Sequence, residues 1–344
     1  MPVSCSRETV KAKANTKNLQ VITNMVKVAA ETCLPAPRVL TTSSKSEVSS
    51  KKLGLGKHFP QRLTTQINYL FLFFFTFTIF ISCTTTSTGS TSHELSVVKP
   101  QWQQFADGID YLHGGLSSPK MKYWALRIDL SSPAIEIVVS GEALSAKVSS
   151  FTRGNNLAAG INALPFDVVS STEGQPIKNV GIVVSQGKLL SPTNSRYDAL
   201  VFYKDGRTAI LNQALINSSS IEEIKNAVGG FHQILKEGEM TERALNSEPR
   251  HPRSAAGLSA DGRYLYLLVI DGRQAASIGA TEGETAALLL SLGSQNGINF
   301  DGGGSSALAL RFPDGNVKVV NTPVHKTIPG QERAVAGCLG IRIK

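Results

Sequence analysis

The sequence contains little cysteine, and the positions of its cysteines exclude a disulfide-based fold. Of the four, Cys5, Cys33 and Cys83 lie in the first 83 residues and only Cys338 lies beyond them. If the leading segment is removed or lipidated, no cysteine pair remains. Stability must therefore come from a hydrophobic core, and the 261 residues after Cys83 are enough to form one.

The sequence after Cys83 also lacks clustered basic charge. Residues 1–83 hold eleven Lys/Arg and three Asp/Glu, whereas residues 84–344 hold twenty-four and twenty-three, so the net charge of +9 belongs almost wholly to the leader. Proteins that bind the phosphate backbone of a nucleic acid need clustered Lys and Arg. We therefore expect no nucleic-acid partner.

No apolar run reaches membrane-spanning length. Residues 69–81 read YLFLFFFTFTIFI, thirteen residues, whereas a spanning helix needs roughly 20. Such a run after a basic stretch is typical of the apolar region of a signal peptide, and the Phe-Ile-Ser-Cys that ends it resembles a lipobox. The pattern predicts export and lipidation at Cys83, in a bacterial cell envelope. An ordinary cleaved signal and an uncleaved anchor are the alternatives.

The chain divides into three predicted segments. Residues 1–83 form a disordered basic prefix with the signal peptide, residues 84–119 a Ser/Thr-rich tether and lead-in, and residues 120–344 one domain. From residue 120 the pattern is of short β-runs separated by turn residues. The predicted fold class is α+β, a single domain with a predominantly antiparallel sheet and a few flanking helices.

Individual elements are predicted as follows. Strand pairs are expected over residues 123–130 with 135–139, 180–184 with 188–190, 199–203 with 208–211, and 307–312 with 317–320; a buried strand is expected over 264–270. A short helix is expected over 221–228. A second helix is better specified, because Thr281 and Glu284 have the spacing of a capping box and Gly293 suits its C-terminal end.

The most informative motif is Asn-Phe-Asp-Gly-Gly-Gly-Ser-Ser over residues 299–306. Asp301 follows a short apolar stretch, at the predicted end of a strand. Three consecutive glycines allow backbone amides to approach a ligand closely and to form an anion-binding nest. A flexible glycine turn is the alternative. No Gly-Lys-Ser/Thr follows, so the motif is not a nucleotide-binding P-loop.

Three further residues are candidates for a chemical role: Arg253, His251 and Asp271. Arg253 follows Pro252 and offers a planar fork suited to phosphate, or else a surface ion pair. His251 beside them is either a general acid or base or a structural residue. Asp271 follows the predicted buried strand, so Asp271 and Asp301 are two strand-end carboxylates of the kind that glycosidases use, unless Asp271 only forms a turn.

Two more residues complete the candidate set. Asn162 follows a short apolar strand and is either a hydrogen-bond partner for a sugar or a turn residue. Arg333 precedes the closing strand and is a second phosphate candidate.

These segments, in this order, resemble the phosphodiester glycosidase family. The resemblance covers residues 123–344 and is densest in HPRSAAGLSADGRYLYLLVIDGR and NFDGGGSSALAL. It implies hydrolysis of a sugar-1-phosphodiester, such as an N-acetylglucosamine-1-phosphodiester, on envelope or extracellular glycans. The catalytic residues it implies are Asp301, Asp271 and Arg253, and the substrate-binding residues are Asn162, Gly302, Gly303, Gly304, Ser305, Ser306 and Arg333.

The expected partners are a phosphorylated glycan or sugar-phosphodiester substrate and, through the lipid anchor, a membrane. No cofactor is expected, although the two aspartates and backbone carbonyls are oxygen donors of the type that calcium binds. The main alternative is a non-catalytic glycan-binding surface lipoprotein. Aromatic platforms would favour it, but Trp102 and Trp124, the only tryptophans, lie far in sequence from the motifs.

Overall fold

The computed structural model describes residues 100–140 and 144–344. The predicted signal peptide, the lipidation site at Cys83 and residues 84–99 of the predicted tether and lead-in lie outside these residues. Within them, no helix has the length and apolar character needed to cross a bilayer.

The described part of the chain is built mainly from short strands. In chain order they are β1 (Gln103–Ala106), β2 (Ile109–Ser117), β3 (Lys120–Asp129), β4 (Ile135–Val139), β5 (Ala159–Asn162), β6 (Val183–Ser185), β7 (Lys188–Ser191), β8 (Asp198–Tyr203), β9 (Thr208–Asn212), β10 (Ile224–Gly229), β11 (His232–Lys236), β12 (Glu239–Met240), β13 (Arg253–Leu258), β14 (Tyr264–Ile270), β15 (Asn296–Asn299), β16 (Leu308–Arg311), β17 (Val317–Val319), β18 (Val324–His325), β19 (Ile328–Pro329) and β20 (Cys338–Ile343).

Few helices accompany the strands. The α-helices of the described residues are α1 (Val148–Gly154), α2 (Ser218–Glu223), α3 (Glu242–Asn246) and α4 (Glu282–Leu292), and single 3₁₀ turns occupy Gln213–Leu215 and Gly303–Ser305.

The strands form one large sheet and three smaller ones. The large sheet has the order β1-β2-β3-β14-β13-β15-β11-β12, two five-stranded sheets have the orders β7-β6-β10-β8-β9 and β17-β16-β5-β20-β4, and β18 and β19 form a ribbon. Neighbouring strands run antiparallel. The predicted α+β fold, a single domain dominated by antiparallel sheet, is confirmed.

The large sheet is covered on both faces, which explains the continuous apolar sequence of β14. Leu265, Leu267 and Val269 belong to the core between the large sheet and the five-stranded sheets. Tyr266 and Leu268 belong to the core beneath α4. Because side chains alternate between the faces of a strand, two buried faces require an apolar residue at every position.

Helix α4 begins and ends where its sequence predicts. The Thr281 hydroxyl accepts from the amide of Glu284, whose carboxylate accepts from the amide of Thr281. Gly293 takes the left-handed conformation at the C-terminal end, with φ of 111°. These contacts satisfy backbone groups that would otherwise lack partners at the helix ends.

Three of the predicted strand pairs are confirmed: β6 with β7, β8 with β9, and β16 with β17. The predicted pairing of residues 123–130 with 135–139 is wrong. Both segments are strands, but β3 pairs with β2 and β14 whereas β4 pairs with β20. The turn between them, which contains Pro133, carries the chain from one sheet to another.

The predicted helix over residues 221–228 is also wrong in its second half. Helix α2 ends at Glu223, and residues 224–229 form β10, which lies in the middle of a five-stranded sheet. Ile224 and residues 226–229 are buried there. Burial by two neighbouring strands outweighs the weak helical propensity of this segment.

The sheet begins earlier in the chain than the predicted boundary at residue 120. Strands β1 and β2 pair with each other, and β2 pairs with β3 along its whole length. Ile109 and Leu112 are buried in the two cores. The lead-in therefore contributes two strands to the domain.

Candidate active site

The predicted site residues come together because of strand register. β13 pairs antiparallel with both β14 and β15, with Arg253 opposite Ile270 and Ala255 opposite Asn299. The beginning of β13 therefore lies at the same sheet edge as the ends of its neighbours. The segments that carry Arg253, Asp271 and Asp301 leave the sheet at this edge.

A cleft of about 340 Å³ opens there. Its walls carry four arginines and three other ionisable side chains, together with the glycine loop. The lining residues are Phe231, Arg243, His251, Pro252, Arg253, Arg273, Glu282, Asn299, Asp301, Gly302, Gly303, Gly304 and Arg333.

The glycine loop is shaped by the arginines that pack on it. Gly303 has φ of 60°, and its amide donates to the carbonyl of Pro252 at 2.8 Å. A Cβ on Gly303 would lie 3.1 Å from Nη2 of Arg273, and a Cβ on Gly304 would collide with the guanidinium of Arg333. The loop can approach two guanidinium groups so closely only because it has no side chains.

Asp301 lies in this cleft beside the loop. Its backbone amide donates to the carbonyl of Ala163 at 2.8 Å, which fixes its position. Burial raises the pKa of the Asp301 carboxyl to about 6, although a hydrogen bond with Ser305 and the charge of Arg333 partly oppose the rise. A strongly perturbed carboxyl in a cleft is a candidate for acid–base chemistry.

Arg333 is held by two neutral side chains. Its Nε donates to Nδ1 of His325 at 3.2 Å and its Nη1 donates to Oγ of Ser305 at 3.2 Å. His325 is 1% exposed, and burial together with the charge of Arg333 lowers its pKa. Neither hydrogen-bond partner carries a negative charge, and the anionic group whose charge acts on the guanidinium is Asp301.

Arg273 forms the second cationic wall, a role that the sequence did not indicate. It adopts the left-handed region with φ of 58°, a conformation that a residue with a Cβ rarely adopts and that costs roughly 1–3 kcal/mol. Its Nη2 lies 3.5 Å from Nδ1 of His251. The backbone turn thus directs a guanidinium to the loop. The residue type at this position does not predict such a conformation.

Arg253 lines the cleft, but its guanidinium makes several contacts with other residues of the protein. It is 7% exposed. Its Nε donates to the carbonyl of Ala280 and its Nη2 to that of Pro249, both at 2.9 Å. Nη1 lies 3.6 Å from Oε1 of Glu282. Its Nε and one Nη2 donor are thus bound to backbone carbonyls, and its Nη1 faces the carboxylate of Glu282.

Asp271 is not brought into the cleft. It is 2% exposed, and its Oδ1 accepts from Nδ2 of Asn321 at 3.1 Å and from the amide of Thr322 at 2.9 Å. Burial raises its pKa to about 6, against these hydrogen bonds. In the structure this carboxylate anchors the segment at residues 321–322.

Three other predicted residues lie behind the loop. Asn162, 1% exposed, donates to the carbonyl of Asp301 at 2.6 Å and accepts from Oγ of Ser254 at 2.7 Å. Ser305 and Ser306 are buried, and Ser305 contacts Arg333. None of the three lines the cleft; they support the backbone and the arginine that do.

Besides Arg273, four residues of the cleft were not predicted as site residues: Phe231, Arg243, Glu282 and Asn299. Glu282 occupies the first turn of α4, within the predicted capping box, and Asn299 stands in the glycine motif, so both lay in recognised segments. Phe231 and Arg243 gave no signal. His251, noted as acid, base or structural, lines the cleft, where burial and the charges of Arg253 and Arg273 lower its pKa.

In the described ranges, no group of three or more His, Cys, Asp or Glu side chains is arranged to hold a metal ion. The expectation that the protein requires no cofactor stays a prediction.

The described residues form an antiparallel α+β domain whose cleft, at a sheet edge, is lined by a glycine loop and arginines. The model of the phosphodiester glycosidase family matches residues 155–342, which are more than half of the chain and include every residue that lines the cleft. The chain belongs to the phosphodiester glycosidase family.

Individual relatives are more distant. The chain is 28% identical over 150 residues to the SPbeta prophage-derived uncharacterized protein YomE of Bacillus subtilis, a match that covers 42% of this chain and 22% of YomE. The chain thus corresponds to less than a quarter of that relative.

Two solved structures share the fold. The zebrafish N-acetylglucosamine-1-phosphodiester alpha-N-acetylglucosaminidase catalytic domain, auto-inhibited by its pro-peptide, has a TM-score of 0.53 at 18% identity over 72% of this chain and 89% of that chain. A hypothetical protein from Synechocystis has a TM-score of 0.51 at 16% identity over 73% of this chain and 65% of that chain. At these identities the likeness concerns the fold alone.

Proposed function

We propose that the protein is a hydrolase that cleaves the glycosidic bond of a sugar-1-phosphodiester, releases the sugar and leaves the phosphate on its acceptor. The observation that carries the proposal is the position of Asp301. It is a carboxyl with a raised pKa in a cleft that also contains the glycine loop, Arg273 and Arg333. This arrangement offers a base and an anion site side by side.

The anion site suits the phosphate group. The hydrogen bonds of Arg333 go to neutral side chains, and the left-handed turn at Arg273 brings a second guanidinium to Gly303. Donors aimed at a group that gains negative charge stabilise the transition state more than the ground state. When the bond between the anomeric carbon and the phosphate oxygen breaks, its electron pair goes to that oxygen.

Asp301 supplies the second element. In its ionised form it takes a proton from water while the water oxygen bonds to the anomeric carbon, or it attacks that carbon itself and water releases the sugar afterwards. The phosphate leaves as an anion held by the arginines, so its departure does not depend on a second carboxyl as acid. This agrees with the position of Asp271 outside the cleft.

The substrate class proposed is an N-acetylglucosamine-1-phosphodiester or a related ester on envelope or extracellular glycans. The family membership supports the reaction type, and the charge of the cleft supports an anionic substrate. Export and lipid anchoring at Cys83 are proposed from the leader sequence alone.

The proposal is tested by incubating the purified full-length chain with UDP-N-acetylglucosamine and a panel of sugar-1-phosphate esters. Release of free sugar by the wild type, and its loss in Asp301→Asn, would support it. Binding of the esters without release of sugar, by a folded wild type, would overturn it in favour of a glycan-binding protein.

A further inference from the structure

Exposed large apolar side chains are concentrated on one part of the surface beside the cleft. Eight such side chains are exposed in the part of the chain that the structure describes, and four of them stand on three segments that pair with one another: Leu144, Val168, Val169 and Ile328. We call these four side chains the apolar surface. Single exposed apolar residues are ordinary, whereas a contiguous group of them indicates an interaction.

Backbone pairing holds the three segments side by side. The isolated antiparallel bridges are Leu144 with Pro176, Ala146 with Val335, and Ser170 with Ala334. Nζ of Lys326, in the turn of the β18–β19 ribbon, donates to Oγ of Ser171 at 3.3 Å. Val169 and Ile328 are each two residues from one end of this hydrogen bond, so they lie on neighbouring loops.

The ribbon also joins the apolar surface to the cleft. Ile328 pairs across the ribbon with His325, whose Nδ1 accepts from Nε of Arg333 at 3.2 Å. Arg333 lines the cleft, and its chain neighbour Ala334 pairs with Ser170. A partner that covers the apolar surface would therefore lie next to the arginine that we propose for the phosphate.

The turn of the ribbon is exposed and strained. Residues 326–330 are all exposed. Lys326 and Thr327 form the turn with φ of 49° and 63°, left-handed values that residues with a Cβ rarely adopt and that cost free energy. Such strain is found most often where a function requires it. The strain in this turn therefore supports a function for the side chains that the turn presents, Lys326 and Ile328.

Basic groups accompany the apolar side chains. Lys326 and Lys178 are exposed on the same loops, and Lys326 donates to a neutral hydroxyl. The acids of the neighbouring segment already have partners: Glu173 pairs with Lys147, and Asp167 accepts from the amide of Lys178. Apolar side chains flanked by lysines suit the interface of a bilayer, because the apolar groups enter the acyl boundary while the ammonium groups contact anionic headgroups.

The chain before the described residues favours a bilayer over other partners. Sixteen residues, 84–99, lie between Cys83 and Pro100, and a chain of this length spans at most about 60 Å. A lipid on Cys83, as proposed above, would hold the domain within that distance of a membrane. Tethering raises the effective concentration of a second binding partner, so even a small apolar surface would be occupied.

We propose that the apolar surface binds a lipid bilayer and places the mouth of the cleft at the membrane. The inference adds a partner surface to the proposed function and does not require the hydrolase activity. An anchor at Cys83 alone would leave the orientation of the domain free, so the test reports contact between lipid and the apolar surface itself.

The test measures tryptophan fluorescence of the full-length Ile328→Trp variant on vesicles of phosphatidylcholine and phosphatidylglycerol, with and without brominated acyl chains that quench on contact. Leu215→Trp is the matched control, because Leu215 is the most exposed large apolar residue of the described ranges, at 70%, and stands on the 3₁₀ turn Gln213–Leu215. Both variants carry the same leader, so they differ only in the position of the probe. The wild type gives the background of Trp102 and Trp124.

We expect brominated lipid to quench Ile328→Trp about twofold or more beyond Leu215→Trp, since only the first probe would reach the acyl boundary. Absence of vesicle binding by the wild type, or equal quenching of the two variants on vesicles, would overturn the proposal. A dimer in solution that Val169→Glu dissociates, without quenching on vesicles, would also overturn it and would assign the apolar surface to a second copy of the chain.

A charge substitution separates this proposal from the proposed function. In the Ile328→Trp background, Val169→Glu should lower the quenching, because a carboxylate is unfavourable in the acyl boundary, while hydrolysis of a water-soluble sugar-1-phosphate ester keeps its rate. If quenching follows this pattern but no ester is hydrolysed, the proposed function fails and the membrane surface stands. If esters are hydrolysed and lipid contact is absent, only the membrane surface fails.

Discussion

Asp301 and Asp271 differ in what surrounds them rather than in sequence setting. Each comes just after a strand of the large sheet, and burial raises the pKa of each to about 6. Asp301 lines the cleft beside two arginines, whereas the oxygens of Asp271 are occupied by Asn321 and Thr322. A raised pKa identifies a buried carboxyl, and only access to a cleft makes it a candidate catalyst.

The two aspartates also differ in the contacts that their neighbours make. Around Asp301, Arg333 donates to the neutral side chains of His325 and Ser305, and Arg273 contacts His251. Around Asp271 the carboxylate accepts from the side chain of Asn321 and from the amide of Thr322. The same residue type at the same kind of position thus lines a cleft in one place and holds a neighbouring segment in the other.

The largest expected effect is the loss of activity in Asp301→Asn. We expect kcat/KM to fall by roughly 10³-fold, because removal of a general base or nucleophile typically costs 10²–10⁴. Asp271→Asn, the matched variant, should keep activity within about tenfold, since it changes no group in the cleft. Sugar release under the same conditions measures both. Equal losses of kcat/KM in the two variants would contradict the proposed difference between Asp301 and Asp271.

A smaller loss is expected in Gly304→Ala. The added methyl group would displace the guanidinium of Arg333, and misplacement of a catalytic group by about 1 Å costs on the order of 10²-fold. Gly154→Ala is the control, because a Cβ at Gly154 meets nothing within 4 Å. Initial rates for both variants, with circular dichroism to verify folding, provide the measurement. Full activity in Gly304→Ala would argue against Arg333 in the site.

The pH profile should follow Asp301. If the ionised carboxylate is required, kcat/KM rises with pH and levels off above an apparent pKa of about 6, falling about tenfold per unit below it. Asp271→Asn should keep this midpoint. A profile flat from pH 4.5 to 8 in the wild type would show that the titrating group is not needed.

The smallest effect concerns stability. A carboxyl whose pKa is raised on folding costs free energy when ionised, so its penalty is present above pH 6 and disappears as pH falls towards 4. For Asp301 the penalty is about 3 kcal/mol. Asp301→Asn should therefore unfold at higher denaturant than the wild type at pH 7, with the difference vanishing near pH 4. A variant less stable than the wild type at pH 7 would contradict this.

Local sequence signals predicted the elements that depend on local contacts. The capping box and Gly293 identified α4, and the apolar run identified β14, because both signals act within a few residues. β10 was missed, since its strand state depends on β6 and β8, which lie 20 or more residues away in the chain.

The candidate site shows the same difference between features set by local sequence and features set by distant contacts. The glycine motif identified the loop and Asp301, because glycines and an acid at a strand end have a local meaning. The roles of Asp271, Asn162 and Arg253 depend on partners distant in sequence, and no pattern reports them. The left-handed turn at Arg273 brings its guanidinium to Gly303. The sequence of this segment does not predict that backbone conformation.

The central claim is that the chain breaks the bond between the sugar and the phosphate oxygen, and hydrolysis in ¹⁸O-labelled water tests it directly. The reaction of an N-acetylglucosamine-1-phosphodiester with the wild type is followed by mass spectrometry of both products. We predict the label in the anomeric hydroxyl of the released sugar and none in the phosphate. Label in the phosphate would mean attack at phosphorus, and would contradict a glycosidase.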